Sequence, residues 1–404
     1  MNPSTRSKPT VPASSQDRVF KALDVFNIEL PSWGFANTGT RFGKFIQAAA
    51  ATTIEEKFAD AAQVNHLTGC APTVALHVLW DLPGGLKDVP ALRAFEQKFG
   101  VKSGSINPNL FQHQDYKYGS IANPSAEIRA FALQHLLDSV EIAKALGSKD
   151  LSIWVSDGSN YPGTQNMRKR IGYMEAVLST LHAALGPDQR MLIEYKPFEP
   201  AFYHTDIADW GMALELARRS GPKATVLVDT GHHYQGTNIE QIVAWLLHLG
   251  ALGGFHFNDR KYADDDLTLG SIDPYQVFRI FHEILSTPEA DRKDIAFMID
   301  QSHNLKGKIE AMIQTVVSAQ ELYARAALID QTRLAELQQS CNLVEAEETF
   351  RSAFWTDVRP MLREWRESRG LNANPLTALR ESGYVEKITA ERASGAAHAV
   401  STYA

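Results

Sequence analysis

The sequence has little cysteine: two residues in 404, Cys70 and Cys341, far apart and without CxxC spacing. That rules out a disulfide framework and fits a reducing, cytoplasmic compartment, with Cys70 in an apolar setting as a core filler. No apolar run reaches the ~18 residues of a membrane span. No basic stripe interleaved with aromatics occurs, and the net charge of −7 speaks for solubility, not for a polyanionic partner. Membrane and nucleic acid are therefore not expected as partners. No G-x-G-x-x-G follows the first strand-like run, which weighs against an open dinucleotide-binding sheet. Residues 1–16 are rich in Ser, Thr and Pro and lack the apolar stretch of a secretory leader, so a disordered tail is expected there.

What is present is ordinary globular material, 44% hydrophobic and 22% charged. Eight strand-like runs alternate with helical stretches. They are predicted at 26–30, 74–80, 103–110, 151–156, 191–194, 224–229, 253–256 and 295–300. Helices are predicted at 17–27, 53–67, 90–99, 124–146, 206–220, 238–250, 273–285 and 306–329. Thr53 with Glu56 has capping-box spacing, Pro90 sits in a first turn, and Gly147 is a C-cap signal. Alternation implies parallel βαβ units, and eight of them imply an α/β fold, a (β/α)8 TIM barrel, over 17–329. Residues 330–404 fit no further unit. They are expected to form a helical C-terminal extension lying on the barrel or on a neighbouring subunit, which makes an oligomer the expectation.

Four of the runs end in, or lead into, a charged or imidazole side chain: Glu194, Asp229, His256 and Asp300. Burying such groups is costly unless they are paired, and strand ends are where parallel barrels place chemistry. Carboxylates with imidazole suit a divalent cation. These four residues are expected to form one metal site. Asp229-x-x-His232 is expected to bridge to a second, completed by Asp264-x-Asp266 on the loop after strand seven. Lys196, two residues past Glu194, shares its strand face and is placed to stabilise negative charge on a substrate oxygen. His77 and Asp81 are expected to orient and polarise a sugar hydroxyl. Trp33, Phe42, Trp80 and Trp154 are expected to supply apolar walls against sugar C–H faces.

Each residue alone has a plainer reading. A strand-end Asp is more often a helix cap, a lone His a satisfied core residue, and 264–266 a solvated loop. Trp154 alone reads as barrel core, and His233 and Asp259 are read as structural. The joint pattern at successive strand ends favours the metal site.

The pattern Glu194-x-Lys196, Asp229-x-x-His232, His256, Asp264-x-Asp266 and Asp300 resembles the two-metal ketol isomerases of the xylose isomerase-like superfamily. It is most similar to the bacterial L-rhamnose isomerase branch with broad aldose specificity. The carrying segments are 32–35, 76–81 and 228–233, and the likeness covers 25–330. The resemblance implies a structural, substrate-positioning metal on Glu194, Asp229, His256 and Asp300. It implies a catalytic metal on Asp229, His232, Asp264 and Asp266. Lys196 would bind the oxygen beside the reacting carbonyl, and Phe42 would reach into a neighbour's active site within a homotetramer. His77-x-x-x-Asp81 is one residue longer than the His-x-x-Asp pair of true xylose isomerases, which weakens the transfer of a ring-opening role to His77. Asp229 and His256 replace a Glu and an Asp of those enzymes, which favours the rhamnose-type branch.

The expectation is aldose–ketose isomerisation, L-rhamnose to L-rhamnulose first, by a two-metal 1,2-hydride shift. Catalysis would fall to Lys196, Asp264, Asp266 and His77. Two divalent cations per chain are expected, Mn²⁺ first, with Co²⁺, Zn²⁺ or Mg²⁺ as substitutes, and no organic cofactor. The alternative is a single-metal ketose 3-epimerase on the same barrel. A non-enzymatic sugar-binding barrel ranks third, and a metal-dependent endonuclease below it.

Overall fold

Short β-rich runs separated by amphipathic helices can bury both faces of each strand only by winding into parallel units. The computed structural model describes residues 13–37, 45–198 and 202–396. Its main sheet has eight strands: β1 (Leu30–Pro31), β2 (Thr73–His77), β3 (Lys102–Asn107), β4 (Asp150–Ile153), β5 (Arg190–Glu194), β6 (Ala224–Asp229), β7 (Leu252–Phe257) and β8 (Ala296–Ile299). They pair in sequence order, all parallel. The ring is drawn shut by Glu29, whose N–H donates to the Phe297 carbonyl and whose carbonyl accepts from Ile299 N–H. The chain is thus a TIM barrel carrying a helical C-terminal part.

Helices α1 (Ala13–Val25), α2 (Ile54–Thr68), α3 (Val89–Phe99), α4 (Ala126–Leu146), α5 (Met167–Ala184), α6 (Trp210–Ser220), α7 (Ile239–His248), α8 (Pro274–Ser286) and α9 (Lys308–Ala327) clothe the ring. The Thr53–Glu56 capping box forms in full at the start of α2, and Gly147 ends α4 at φ +69°. Helix α5 was not anticipated. Its buried Met174, Val177, Leu178 and Leu181 nevertheless have helical spacing.

Two local departures from expectation matter for the site. The first strand is only two residues long, because Ser32–Phe35 winds into a 3-10 turn directly after Pro31. The second strand stops at His77, and Val78–Asp81 make one helical turn.

Gly104 shows why the third strand reads weakly in sequence. A Cβ there would lie 1.5 Å from Glu29 Oε2. The Glu29 carboxylate is buried in that space and accepts from Ser105 Oγ (2.5 Å) and Ser105 N–H (2.9 Å). Burial raises its pKa against the pull of those donors. Cys70 is buried as well, and burial pushes its thiol up to about 12, leaving it an inert core group.

Beyond the barrel, α10 (Gln331–Gln339), α11 (Leu343–Trp355), α12 (Arg359–Glu367), α13 (Pro375–Glu381) and α14 (Tyr384–Ala396) pack on this chain's own helices. Phe354 packs edge-on against Tyr275 and Phe278 at ring distances of 4.9 and 5.4 Å. Arg366 donates to Gln320 of α9 at 2.6 Å. Arg392 grips buried Asp60 of α2 with two hydrogen bonds (2.8 and 3.0 Å), and Tyr384 adds a third at 2.9 Å. The tail expected over 1–16 lies outside the described residues up to 12; Ala13 already belongs to α1.

Candidate metal centre and substrate cavity

Parallel register carries four candidate ligand side chains to one end of the ring. Glu194 and Asp229 are the last residues of β5 and β6. His256 pairs in register with Asp229, and Asp300 follows β8, its N–H donating to Phe257 O. One ligand atom from each of these four residues falls within 4.8 Å of the other three. Asp229, His232 and Asp264 form a second such group under the same limit. Asp229 belongs to both.

The donor set fits divalent cations. Glu194 Oε1 lies 3.2 Å from both His256 Nδ1 and His232 Nδ1, close contacts without hydrogen-bond geometry. Among the described residues, both His256 ring nitrogens lack a hydrogen-bond partner although the residue is buried. His232 Nε2 faces Asp264 Oδ2 at 3.3 Å and Asp229 Oδ2 at 3.8 Å. Buried carboxylate oxygens and imidazole nitrogens that converge without satisfying one another are what a cation would satisfy.

The electrostatics agree. Burial alone would lower the His256 pKa, but Glu194, Asp300 and Asp229 outweigh it and push it up to about 10. Burial likewise opposes His232, and Asp229 with Asp264 carries it to about 9. Burial raises Asp229 to about 7, helped by Asp264, Glu194 and Asp300 and opposed by His232. Without a metal, protons on the two histidines supply the positive charge this site demands.

Supporting contacts fix the ligands. Gly231 N–H donates to Asp229 Oδ1 at 2.6 Å, and Asn258 Nδ2 reaches both Asp229 oxygens at 3.0 and 3.2 Å. A Cβ on Gly231 would sit 2.3 Å from Asn258 Oδ1, so that close approach requires glycine. Trp33 Nε1 donates to Asp300 Oδ1 at 2.9 Å. Lys196 Nζ lies 2.6 Å from Asp264 Oδ2 and 5.4 Å above the Trp154 ring.

A cavity of about 470 Å³ opens over these groups. Glu194, Lys196, His232, His256, Asp264, Asp266 and Asp300 line one side, with Asp229 fully buried beneath. Trp33, His77, Phe111 and Trp154 line the other, so Trp154 reaches the cavity instead of filling the core. Burial, reinforced by His256 and Lys57, lowers the His77 pKa to about 3 and keeps its imidazole neutral. Asp266 reaches the lining with φ +49° but stands outside the second ligand group.

Two residues expected on the wall are placed behind it. The helical turn after His77 swings Asp81 back beneath that residue. There it is saturated by Ser32 Oγ (2.5 Å), Lys57 Nζ (2.6 Å) and His77 N–H (2.8 Å), with no acceptor turned toward a sugar. Trp80 donates to Gln112 and packs at a tilt against the His77 ring, 4.1 Å away, backing the wall instead of forming it. Phe42 lies outside the described residues.

Asn107, Phe111, Ser152, Ser156 and Ser302 join the lining without having been expected, and Asn258 joins the ligand support. Asn107 could have been found, since it ends β3 as Glu194 ends β5. Asn258 follows His256 by two residues, the spacing of one strand face.

Residues 73–305 match the family described as xylose isomerase-like TIM barrel. A probable sugar isomerase of Rhizobium meliloti is 40% identical over 383 residues, covering 93% of this chain and 88% of its own. A second, of Mesorhizobium japonicum, is 39% identical with the same coverage. The solved structure of an L-ribulose 3-epimerase superposes with a TM-score of 0.51 at 14% identity, over 78% of this chain and 98% of its own; at that identity the likeness is one of fold. No helix among the described residues is long and apolar enough to cross a membrane.

Proposed function

The chain belongs to the xylose isomerase-like TIM barrel family, and from that premise we propose that it is an aldose–ketose isomerase dependent on two divalent cations, acting first on L-rhamnose and accepting other aldoses. The observation that carries this reading is Asp229 shared by two adjacent ligand groups, with Lys196 beside the second. Glu194, Asp229, His256 and Asp300 would hold one ion; Asp229, His232 and Asp264, with Asp266 near, would hold the other. Mn²⁺ is the first choice, and when bound such ions supply Lewis-acid polarisation of the sugar carbonyl and the adjacent oxygen.

The chain's own groups do the rest. The Lys196 ammonium donates to O1 and stabilises negative charge there as hydride passes between C1 and C2. Asp264 or Asp266 would take up the O2 proton and return it to O1 once the hydride has moved. Neutral His77, packed among Trp33, Trp80 and Phe111, accepts a hydrogen bond from a sugar hydroxyl and forms a wall for the open-chain sugar. Trp33, Phe111 and Trp154 exclude water, and their apolar faces suit the C6 methyl of a 6-deoxy sugar. Asn107, Ser152, Ser156 and Ser302 offer hydroxyl and amide partners along the chain of the sugar.

A homotetramer in the cytoplasm is part of the same reading. It rests on the resemblance at Phe42 and on the sparse, unpaired cysteines.

A single-metal ketose 3-epimerase is the second reading, favoured by Asp266 standing apart from the second group, which leaves that group three side chains. An aldose panel with Mn²⁺-loaded protein separates the two. The isomerase forms ketose and retains deuterium from C2 at C1. Solvent deuterium entering C3 of a ketose, with one ion per chain, would establish the epimerase instead, and no turnover of any sugar would sink both.

A further inference from the structure

Tyr195 stands between two residues of the site, Glu194 and Lys196, yet on the opposite strand face. It is buried, and it meets the His232–His233 segment twice. Its carbonyl lies 3.0 Å from His232 Nδ1, and its hydroxyl lies 2.6 Å from His233 Nε2. The Tyr195 and His233 rings stand edge-on, 5.3 Å apart at 85°. The same segment is held from its other side by Arg260. Its Nε donates to His233 O at 2.7 Å and its Nη2 to Tyr234 O at 3.3 Å. Arg260 is itself seated by its N–H on Asp259, whose other oxygen accepts Ile272 and Asp273 N–H.

A carbonyl has no proton to give, so this contact is a hydrogen bond only when Nδ1 carries the proton, which favours the Nδ1–H tautomer of His232. Nε2 is then the atom left to face Asp229 and Asp264. Nothing in the Asp229-x-x-His232 spacing alone enforces that orientation. Residues 230–234 are a turn without regular pairing, and a histidine there could rotate.

We propose that Tyr195 and His233, backed by Arg260, form a clamp that sets the ring orientation and tautomer of His232, and thereby the affinity of the second of the two cation sites. These are positioning residues: they touch neither the cavity nor the ligand atoms. The inference rests on the two-cation reading above and makes a claim that reading does not contain, because it assigns site-selective work to residues outside both ligand groups.

The test is Mn²⁺ titration of the chelated full-length protein by calorimetry, with ion stoichiometry checked by metal analysis. Four proteins are compared: wild type, His232→Ala, Tyr195→Phe and the double variant Tyr195→Phe/His233→Leu. Wild type binds two ions and His232→Ala loses one. Tyr195→Phe binds one ion at wild-type affinity and the other about ten- to a hundredfold more weakly. Tyr195→Phe alone leaves His233 with an unmet polar atom and loses thermal stability. The double variant removes both partners and recovers that stability. It still binds the second ion weakly, and a purely structural role would not produce that split.

If the variants bind both ions as wild type does, or weaken both sites equally, the clamp is overturned while the two-cation reading stands. A wild type that binds a single ion overturns the two-cation reading, and the clamp with it.

Discussion

Lys196 Nζ lies 2.6 Å from Asp264 Oδ2, with both side chains buried. The ammonium thus occupies part of the coordination space of the second ligand group before any cation arrives. In the proposed reaction a cation held there would compete with Lys196 for Asp264 and leave the ammonium to meet the substrate. Lys196→Met is therefore expected to leave ion binding at the Glu194 group unchanged. Turnover should fall on the order of 10²–10³-fold, as when one charge-stabilising donor is removed. Steady-state kinetics beside metal stoichiometry decide this; a normal kcat would remove Lys196 from the chemistry.

Asp229 is expected to be the one ligand whose loss empties both groups. Asp229→Asn keeps volume and the Gly231 contact but gives up a charge shared by two sites. Protein dialysed against Mn²⁺ should retain none. Retention of a full ion by the variant would show that the groups do not share this carboxylate.

Trp33→Phe removes the donor to Asp300 while keeping an aromatic wall. Partners of ligating carboxylates are typically worth ten- to a hundredfold in metal affinity. The first site should weaken by about that factor and the second should hold. Competition with a calibrated chelator would measure it, and equal loss at both sites would point to wall collapse.

The metal-free protein should lose stability as pH rises. His232 and His256 have folded pKa values of about 9 and about 10, above the ordinary 6.5. A raised pKa means the folded state holds its protons more tightly. The stabilisation is complete below 6.5 and is lost as pH climbs through about 9 and about 10. Asp229, raised from 3.8 to about 7, loses its contribution mostly below pH 7 and adds only to the start of that fall. Thermal unfolding of chelated protein should show Tm falling from pH 6.5 to 10, and Mn²⁺-loaded protein should show a flatter profile. Parallel profiles would mean that these histidines are not metal ligands.

Gly104→Ala forces a methyl group onto the Glu29 carboxylate. The variant is expected to lose about 1–3 kcal/mol, the range of an overpacked core, read from its denaturation midpoint. Combining it with Glu29→Ala should recover part of that loss, because the obstructing group is gone. Additive losses would place the strain elsewhere.

How much of this could be read from the chain follows from what each residue depends on. Glu194, Asp229, His256 and Asp300 were legible because a charge terminating an apolar run is costly wherever it sits, and a barrel brings successive run-ends together. The Thr53–Glu56 box was legible because it is local. Asp81 was misplaced because one helical turn after His77 is decided by Ser32 and Lys57, residues far along the chain that saturate it. Trp154 taken alone reads as core, since an apolar residue just past a strand looks the same in either role; only its company at the strand ends put it on the cavity wall, which it lines. Asn258 and Tyr195 went unnoticed because a neutral side chain that supports a ligand leaves no charge pattern. Helix α5 went unnamed although its spacing was available at 174, 177, 178 and 181.

Asp60 and Arg392 stand 332 residues apart in sequence and share two hydrogen bonds in the interior. During synthesis, α2 can assemble against the first strands long before its countercharge exists. Until Arg392 leaves the ribosome, Asp60 lacks its guanidinium partner, and burying it would require a proton or water in that place. A nascent chain arrested before residue 384 should therefore carry an open seam at α2, accessible to chaperones, while the strands that bear the ligands are already in place.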